Sequence, residues 1–514
     1  MTIISRLMSR LREEPKVEHF IASRAGRPAL LGFVGALLIT LGGLGAGSTR
    51  LHDPVLEHLH LAWLRFGHGL VFASVLLWVG VALMLAAWVS LGRWVIEGTA
   101  DARSMIATTG VWLAPLLLSV PVFSRDTYSY LAQGALLRDG FDPYYVGPVD
   151  NPNGLLDNVS PIWSTTTAPY GPAFILVARF VTMLVGDNVV AGTLVLRLCM
   201  LPGLLLLIWA ALRISRHIGA NGAAALWICV LNPLVIIHLM GGVHNEMLMV
   251  GVMMAGIALT LDRHPIAGVA VVGLAVAVKA TAGVALPFLV WVWMRQMQQR
   301  RAMSPTAAFA SAAAGSVAVF GAVFGALSWI AGVDLGWLSA LAGSVKIINW
   351  LTVPTAAANV ISLAGGLFTT VDFYAVLEIT RLLGIGVIVV ALPLLWWRFR
   401  HDDREVLTGI SIAMVVVVLF VPAALPWYYT WPLAVMSALT QSQRWIAAIA
   451  GFSTWVMVIF NPDGSHGMYS PVHAAVATVC AVVAWRMLST PTPEPAAPPR
   501  EPDESAAHRQ AEHS

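Results

Sequence analysis

Polar residues that follow directly on an apolar run are the first place where this sequence could do chemistry. The stretch reads Ser124-Arg-Asp-Thr-Tyr-Ser-Tyr130 and comes after the apolar run 105–120. A carboxylate where a hydrophobic helix ends lies at a membrane surface, where it can take a proton from an attacking hydroxyl. Asp126 is therefore the predicted catalytic base. The alternative is that it only forms an ion pair or hydrogen bond near Arg125. The neighbouring side chains predicted to bind a sugar substrate are Arg125, Tyr128, Tyr130 and Gln133.

A second polar site is His244-Asn245-Glu246, which precedes the apolar run 247–261. A helix N-terminus favours an anion, so His244 is predicted to bind a phosphate there and Asn245 and Glu246 to contact substrate. The alternative is ordinary helix capping, with Asn245 as the cap and Glu246 in the first turn. His244 and Glu246 alone give too few ligands for a metal, so no metal site is predicted.

Two cations interrupt apolar runs. Lys279 lies inside 266–286, where an unpaired ammonium is costly unless it reaches the surface or an anion. It is predicted to bind phosphate, and the alternative is that it extends to the interface. Arg381 shares a helix face with Glu378, so the pair can neutralise itself, or Arg381 can bind phosphate as well.

Aromatic residues recur near the ends of the later apolar runs. Trp427 and Tyr428 form one group, and His466 and Tyr469 lie in a later polar segment. The simplest interpretation is a belt at the membrane interface. Aromatic faces also stack on sugars, so these four residues are the remaining predicted substrate-binding positions.

The composition predicts the class of protein that must hold these residues. Hydrophobic residues make up 58% of the 514-residue chain and charged residues 11%. Apolar runs of about 20 residues, the length that spans a bilayer as a helix, recur without the alternation of a porin strand. The fold class is therefore an all-α polytopic membrane protein. A net charge of +3 gives no sign of nucleic-acid binding, and the 3 cysteines lack a metal-binding or disulfide spacing.

The distribution of Lys and Arg predicts the topology. Residues 1–27 form a basic cytoplasmic arm, 28–489 hold about fourteen spans, and 490–514 form a disordered cytoplasmic tail. The predicted crossings include 222–240, 306–330, 375–397 and 428–439. A large outer loop covers about 122–188, and a second outer segment covers about 332–374. The same alternation of spans places Asp126, His244 and Lys279 on the non-cytoplasmic face.

At this point the chain resembles a known family, the actinobacterial polyprenol-phosphate-mannose-dependent α-1,6-mannopyranosyltransferases, which are integral membrane glycosyltransferases of the GT-C class. The resemblance covers most of the chain and depends on the order and spacing of several short motifs. They are Asp126-Thr-Tyr-Ser-Tyr-Leu-Ala-Gln-Gly, Asp142-Pro-Tyr, Tyr170-Gly-Pro, Leu231-Asn-Pro, Gly242-Val-His-Asn-Glu and Val278-Lys-Ala-Thr-Ala-Gly.

The resemblance implies a GT-C-type helical bundle in the plasma membrane, with the active site on the extracytoplasmic face. It implies transfer of mannose, with inversion, from polyprenol-phosphate mannose to an α-1,6-mannan or phosphatidylinositol-mannoside-type acceptor of lipomannan and lipoarabinomannan. Asp126 matches the carboxylate usually assigned as the base, and no cofactor or nucleotide sugar is expected. Membrane lipid is a further expected partner.

A flippase or transporter of lipid-linked sugars is the alternative. Transporters place polar residues near the membrane midplane, often within inverted repeats. Lys279, Arg197 and Arg381 within apolar runs fit that alternative. The absence of a convincing repeat, and the polar residues predicted on one face, favour an enzyme.

Overall fold

The computed structural model describes residues 25–341, 346–440 and 442–490. The predicted arm 1–27 and tail 490–514 lie almost wholly outside these residues. Across the described ranges the protein is built from helices, with no β-strand and one isolated bridge between Phe460 and His466. The prediction of an all-α polytopic membrane protein is therefore confirmed.

The α-helices are numbered in chain order. They are α1 (Gly26–Ala46), α2 (Pro54–His58), α3 (Gly67–Ile96), α4 (Ala102–Leu116), α5 (Asp126–Arg138), α6 (Pro161–Ser164), α7 (Pro172–Val185), α8 (Val189–His217), α9 (Gly222–Cys229), α10 (Glu246–Leu261), α11 (Pro265–Val278), α12 (Ala285–Arg301), α13 (Pro305–Ala331), α14 (Trp337–Ala340), α15 (Val353–Gly365), α16 (Phe373–Arg398), α17 (Asp403–Phe420), α18 (Thr430–Met436), α19 (Gln443–Ile459) and α20 (Pro471–Ser489). A π-helix, Leu234–Gly241, separates α9 from α10, and 3-10 helices cover Ala280–Val284 and Pro426–Tyr429.

The number of membrane spans differs from the prediction. In the described part of the chain, 6 helices are long and apolar enough to cross a membrane, namely α1, α3, α8, α13, α16 and α20. The pair formed by α9 and the π-helix, bent by 50°, passes the same test as one unit. The predicted count of about fourteen is not confirmed, because several predicted crossings form helices that are short or bent. The crossing predicted at 428–439, for example, is a 3-10 turn followed by the 7-residue α18.

The break before the π-helix has a local cause. Asn232 precedes Pro233, and a residue before proline is disfavoured in the helical conformation. The Asn232 side chain accepts a hydrogen bond from the backbone N–H of Leu234 at 3.0 Å and donates one to Ser453 at 2.9 Å. The Leu234 N–H at the break is thereby paired inside the protein. The chain can change direction before it reaches His244.

Close packing of α8 against α10 positions the start of α10, which begins at Glu246, two residues after His244. A Cβ added to Gly251 would lie 1.9 Å from the carbonyl oxygen of Gly203, and one added to Gly203 would lie 2.3 Å from the Met247 oxygen. Only glycine permits this approach of two backbones. The two helices are therefore held in one register next to the polar residues.

Arg197 of α8 is fully buried and holds the segment after α4 and the end of the π-helix together. Its guanidinium donates hydrogen bonds to the carbonyl oxygens of Leu117 at 2.8 Å, Met240 at 3.1 Å and Gly241 at 3.1 Å. Carbonyls at helix ends lack intrahelical donors, so a buried guanidinium supplies them. Arg197, which the sequence left open as a transport residue, is bonded to backbone in this structure.

Replacing Arg197 by Met is expected to destabilise the protein by about 2–5 kcal/mol, because three buried carbonyls lose a charged donor. Thermal unfolding of the detergent-purified variant measures the effect. Arg213→Met is the control, because Arg213 is 44% exposed in its pair with Asp262. Loss of such a surface pair changes stability by about 1 kcal/mol or less. An Arg197→Met protein that melts with the control would contradict the assignment.

Candidate active site

A cavity of about 520 Å³ collects several of the predicted polar residues. Its walls come from the start of α5, the segment before α7, the break after α11, α16, and the segment between α17 and α18. The residues that line it are Asp126, Ser129, Gln133, Trp163, Thr166, Pro169, Tyr170, Lys279, Ala280, Thr281, Leu341, Ile347, Ile385, Val421, Pro422, Ala423, Leu425, Tyr428 and Trp431. Most of the lining is apolar or aromatic, and Asp126 and Lys279 are its two ionisable members that carry opposite charges.

Two turns with positive φ precede the polar residues. Phe123 has φ 65° and Val243 has φ 58°, a conformation that side chains with a Cβ rarely adopt. The Phe123 N–H donates to the Pro462 oxygen at 2.7 Å, which anchors the first turn. Thr127 donates to the Gly242 oxygen at 2.8 Å and links α5 to the second. Backbone strain of this kind persists where surrounding contacts fix it, and it is enriched at functional sites.

Asp126 is the first residue of α5, and its side chain is 13% exposed. Its Oδ2 lies 3.7 Å from Nδ1 of the fully buried His244, and that nitrogen lies 4.0 Å from Glu246 Oε2. The His244 ring stacks on Trp427, with centroids 3.7 Å apart. His244 is thus held between the carboxylates of Asp126 and Glu246 and does not itself line the cavity.

Lys279 connects the same cluster to the cavity. It lies in extended conformation between α11 and the 3-10 helix Ala280–Val284, so its side chain leaves the helix axis where the helix ends. The ammonium is paired with the buried Glu246 and lies 4.5 Å from the centre of the Tyr428 ring. The side chain is 12% exposed. These contacts form a row of charged and polar groups in the order Asp126, His244, Glu246, Lys279. The two ends of the row, Asp126 and Lys279, line the cavity.

Burial raises the pKa of Asp126 to about 7, and the negative charge of Glu246 acts in the same direction. Lys279 and hydrogen bonds from Ser124 and Trp163 lower this pKa and only partly oppose the rise. Asp126 begins α5, which is not among the helices long enough to cross a membrane. A carboxylate with such a pKa is a stronger base than an ordinary one and is still partly ionised at neutral pH.

Four other predicted residues lie in the cavity lining or directly behind it. Gln133 and Tyr428 line the cavity. Tyr130 and Trp427 are buried behind it, where the Tyr130 hydroxyl lies 3.5 Å from His244 Nδ1.

Arg125 and Tyr128 point away from the cavity. Arg125 donates to the carbonyl oxygens of Thr49 and Asn158 at 3.0 Å each. The Tyr128 hydroxyl donates to the Ser48 oxygen at 2.5 Å. These contacts tie the start of α5 to the segment after α1 and to the loop that holds Asn158. Substrate binding by the two residues stays a prediction.

Asn245 does not make the capping bond that the alternative interpretation required. It precedes α10 with no hydrogen bond from its side chain to the helix, and its buried side-chain N and O have no partner among the residues that the structure describes. Glu246 is fully buried and accepts a hydrogen bond from Lys279. Its role is therefore not limited to a position in the first turn of a capped helix. The pairing of Glu246 with Lys279 joins two motifs 33 residues apart.

The last three predicted residues, like His244, do not line the cavity. Arg381 is buried in α16 and donates to the carbonyl oxygen of Ile347, a lining residue, at 2.6 Å. His466 and Tyr469 pack on each other, with ring centroids 5.3 Å apart, and Tyr469 contacts Trp350. The structure does not bring His466 and Tyr469 together with Asp126.

The sequence interpretation missed Trp163 as a site residue. It lies in the cavity wall and hydrogen-bonds Asp126. A tryptophan inside an otherwise polar loop was the available signal. Tyr170 was noted only as part of a motif, and its ring lies 5.7 Å from the Lys279 ammonium. Within the described ranges, no group of three or more His, Cys, Asp or Glu residues is arranged to hold a metal ion.

Comparisons with known proteins agree over most of the chain. Residues 29–295 match the family model described as "Alpha-(1->6)-mannopyranosyltransferase, N-terminal domain", and residues 354–490 match "MptB C-terminal domain". The cavity draws residues from both matched segments. No solved structure matches the chain.

Curated relatives carry the same name. The chain is 69% identical over 470 residues to alpha-(1->6)-mannopyranosyltransferase A of Mycobacterium tuberculosis, covering 91% of each chain. It is 39% identical to the protein of that name from Corynebacterium glutamicum, over 87% of this chain and 95% of the relative. It is 29% identical to alpha-(1->6)-mannopyranosyltransferase B of the same organism, over 85% of this chain and 76% of the relative. This protein therefore belongs to the α-(1→6)-mannopyranosyltransferase family.

Proposed function

We propose that this protein is a GT-C-class glycosyltransferase that moves mannose from polyprenol-phosphate mannose to an α-1,6-mannan of lipoglycan, with inversion at the anomeric carbon. The relatives' names support α-1,6-mannosyl transfer. The observation that carries the proposal is the cavity, where Asp126 and the Lys279 ammonium open onto one space with largely apolar walls. A lipid-linked sugar phosphate has an anion, a hydroxyl-rich ring and a hydrocarbon chain, and this cavity offers a partner to each.

In the proposed reaction Asp126 removes the proton from the acceptor hydroxyl while that oxygen attacks the anomeric carbon of mannose. The bond between that carbon and the phosphate oxygen breaks, and polyprenyl phosphate leaves from the opposite face. One displacement of this kind inverts the configuration and needs no second carboxylate. The departing phosphate needs little acid assistance because it is stable as an anion.

Lys279 is the proposed partner of the donor phosphate. Its side chain is 12% exposed and lines the cavity, and its ammonium is already paired with one anion, Glu246. A phosphate would share or take over this charge, and charge-assisted hydrogen bonds of that type are strong. His244 and Arg381 do not line the cavity, so their binding of phosphate stays a prediction.

Product analysis tests the proposal directly. Purified protein in proteoliposomes is incubated with polyprenol-phosphate mannose and a short α-1,6-mannoside, and the extended product is analysed by mass spectrometry and NMR. An added α-1,6-linked mannose is the expected result. Movement of intact donor across the bilayer without a new glycosidic bond would instead favour a flippase.

Transfer is expected to depend on the ionisation of Asp126. Because its pKa is raised to about 7, kcat/KM should fall as the pH drops through neutrality, rather than only near pH 4. Glu246→Gln removes a negative neighbour and leaves Lys279 less neutralised. Both changes lower the pKa of Asp126, so the acid limb should move to lower pH. The profile of kcat/KM is measured from pH 5 to 9. An acid limb at the same pH in Glu246→Gln as in the wild type would contradict this coupling.

We further propose that 28–489 form one membrane domain whose cavity opens on the extracytoplasmic side of the plasma membrane. With Cys199, Cys229 and Cys480 replaced, a single cysteine at Val149, 45% exposed in the loop after α5, should react with an impermeant maleimide on intact cells. One at His401, 61% exposed between α16 and α17, should react only after permeabilisation. The reverse pattern would place the cavity on the cytoplasmic side.

A further inference from the structure

One nitrogen of His244 lies among three oxygen atoms of the site. Its Nδ1 is 3.7 Å from Asp126 Oδ2 and 4.0 Å from Glu246 Oε2, and the hydroxyl of Tyr130 lies 3.5 Å from the same atom. The other ring nitrogen, Nε2, is buried and has no hydrogen-bond partner in the part of the chain that the structure describes. His244 therefore acts on the site through Nδ1.

The fold fixes the position of this ring from several sides. Its face stacks on Trp427, with an angle of 25° between the two ring planes. A Cβ added to Gly242 would lie 2.5 Å from the His238 oxygen and 3.1 Å from His244 Cδ2, so glycine leaves room for one edge of the ring. The backbone N–H of His244 donates to the Leu239 oxygen at 3.0 Å. The distances from Nδ1 to the two carboxylates are therefore set by surrounding contacts.

The surroundings of the ring favour one tautomer, with the proton on Nδ1. His244 lies between the π-helix and α10, outside the helices that are long enough to cross a membrane. Burial lowers its pKa well below the ordinary value, and His238 and the Lys279 ammonium act in the same direction, so the ring is neutral. A neutral imidazole has a single N–H, and the partners of its two nitrogens decide where it lies. Ionised carboxylates only accept hydrogen bonds, so the N–H belongs on Nδ1, beside Asp126 and Glu246.

The ring also lies between Asp126 and the ion pair of the site. The Lys279 ammonium is paired with Glu246, and across the described ranges it forms no ion pair with Asp126, although both residues line one cavity. His244 stands between the carboxylates of Asp126 and Glu246. A carboxylate paired with a cation is a weaker base than an unpaired one, and an ammonium shared by two carboxylates attracts a phosphate less strongly.

We propose that His244 is a positioning residue for the transfer reaction: it donates its Nδ1–H to the Asp126 carboxylate and keeps that carboxylate apart from the pair of Glu246 and Lys279. The inference rests on the proposed function and gives His244 a task other than the predicted binding of phosphate. Because His244 does not line the cavity, it acts through Asp126 and not on the substrates. The contact holds the base in one orientation and favours its ionised form.

The distance of 3.7 Å between Nδ1 and Asp126 Oδ2 is longer than a hydrogen bond. At this distance the N–H dipole still stabilises a carboxylate, and contacts between catalytic groups commonly shorten when a substrate binds. Other ionisable groups also face Asp126 or His244. They are Tyr130 of α5, Tyr170 before α7, Tyr428 of the second 3-10 helix, Glu246, Lys279 and His238. Burial raises the pKa of all three phenols, so they stay neutral between about pH 5 and pH 9.

Infrared titration of Asp126 tests the contact without turnover. The carboxyl C=O band that is missing in Asp126→Asn reports the protonation of this residue in the full-length protein. In His244→Phe the midpoint should rise by about half a pH unit to one unit, because the ionised carboxylate loses an N–H donor while the ring on Trp427 is kept. In His244→Asn the side-chain amide can place an N–H near the position of Nδ1, so the midpoint should stay close to that of the wild type.

His238→Phe is the matched control for the loss of a buried histidine. His238 is also fully buried, and its ring lies 6.0 Å from that of Trp427, but neither of its nitrogens has a hydrogen-bond partner among the described residues. Its replacement should leave the midpoint of Asp126 unchanged. An unchanged midpoint in His244→Phe, or an equal shift in His238→Phe, would overturn the proposal. His244→Leu gives the same comparison if His244→Phe does not fold. Because no sugar is transferred in this experiment, its outcome is independent of the proposed reaction.

Transfer kinetics give a second readout. His244→Phe should lower kcat by about tenfold and move the acid limb of kcat/KM to higher pH, opposite to the shift expected for Glu246→Gln. Donor KM should change by less than about twofold, because His244 does not line the cavity. His244→Asn should recover most of the lost kcat. A large rise in donor KM at unchanged kcat would make His244 a phosphate ligand and would overturn the positioning role.

Discussion

Asp126→Asn is expected to fold and reach the membrane normally yet lose about two to four orders of magnitude in transfer rate, the usual contribution of general-base assistance. The amide has nearly the same shape as the carboxyl but cannot take the proton of the acceptor hydroxyl. It also resembles the protonated carboxyl that exists below the pKa of about 7, so the neutral side chain is already tolerated at this position. The expected loss is therefore in kcat, with donor binding largely kept.

Asp139→Asn is the control for this prediction. Asp139 follows the other end of α5, is 33% exposed and pairs with Arg138 at 2.7 Å. Its loss should leave transfer within about twofold of wild type, because a surface pair contributes little to stability. Single-turnover assays with saturating donor measure the rate for both variants. Wild-type turnover in Asp126→Asn would exclude Asp126 as the base, and Glu246 would be tested next.

Hydropathy predicted the long helices well for a physical reason. In lipid each backbone polar group must be paired within its own segment, so apolar runs of sufficient length form helices. The crossing predicted at 306–330 is α13, Pro305–Ala331, and the crossing predicted at 375–397 is α16, Phe373–Arg398. The prediction requires only local information, and local information is sufficient for such segments.

The breaks were less predictable because tertiary contacts stabilise them. The run 222–240 was predicted as one crossing, but it divides at Asn232-Pro233 into α9 and the π-helix. Proline alone can kink a helix without ending it. Ser453, more than 200 residues later, accepts from the Asn232 side chain, and Arg197 caps the far end of the π-helix. Neither partner can be identified from the segment itself.

The candidate site was likewise predictable only in part. Positive-inside counting placed Asp126, His244 and Lys279 on one face, and in the structure they lie in one cluster. The sequence did not predict that Glu246 pairs with Lys279, because nothing in either motif specifies a partner 33 residues away. It also grouped Arg125 and Tyr128 with the substrate side. Residue types indicate which groups can bind a sugar, but the direction of each side chain depends on the turns at Phe123 and Val243.

The direction of a side chain also decides what a lysine at a helix end can do. Had Lys279 lain within α11, its ammonium would face α10 or lipid. At the break it reaches both Glu246 and the cavity, and the rings of Tyr170, Tyr428 and Trp431 surround it. Aromatic faces attract a cation without neutralising it. The ammonium therefore keeps the capacity to bind a second anion in the cavity.

Lys279→Met is expected to raise KM for polyprenol-phosphate mannose by about tenfold to a hundredfold, the range for losing a hydrogen bond to a charged group. The single variant also leaves Glu246 buried without its cation, which destabilises the protein. The double variant Lys279→Met with Glu246→Gln removes both charges and should restore the melting temperature but not donor affinity. Lys279→Arg keeps the charge and should keep part of the affinity.

Arg381→Ala serves as the comparison for the second predicted cation, and donor KM is measured for every variant at fixed acceptor concentration. If donor KM were unchanged in the double variant, the phosphate would not bind at Lys279, and an increase confined to Arg381→Ala would locate it at α16 instead.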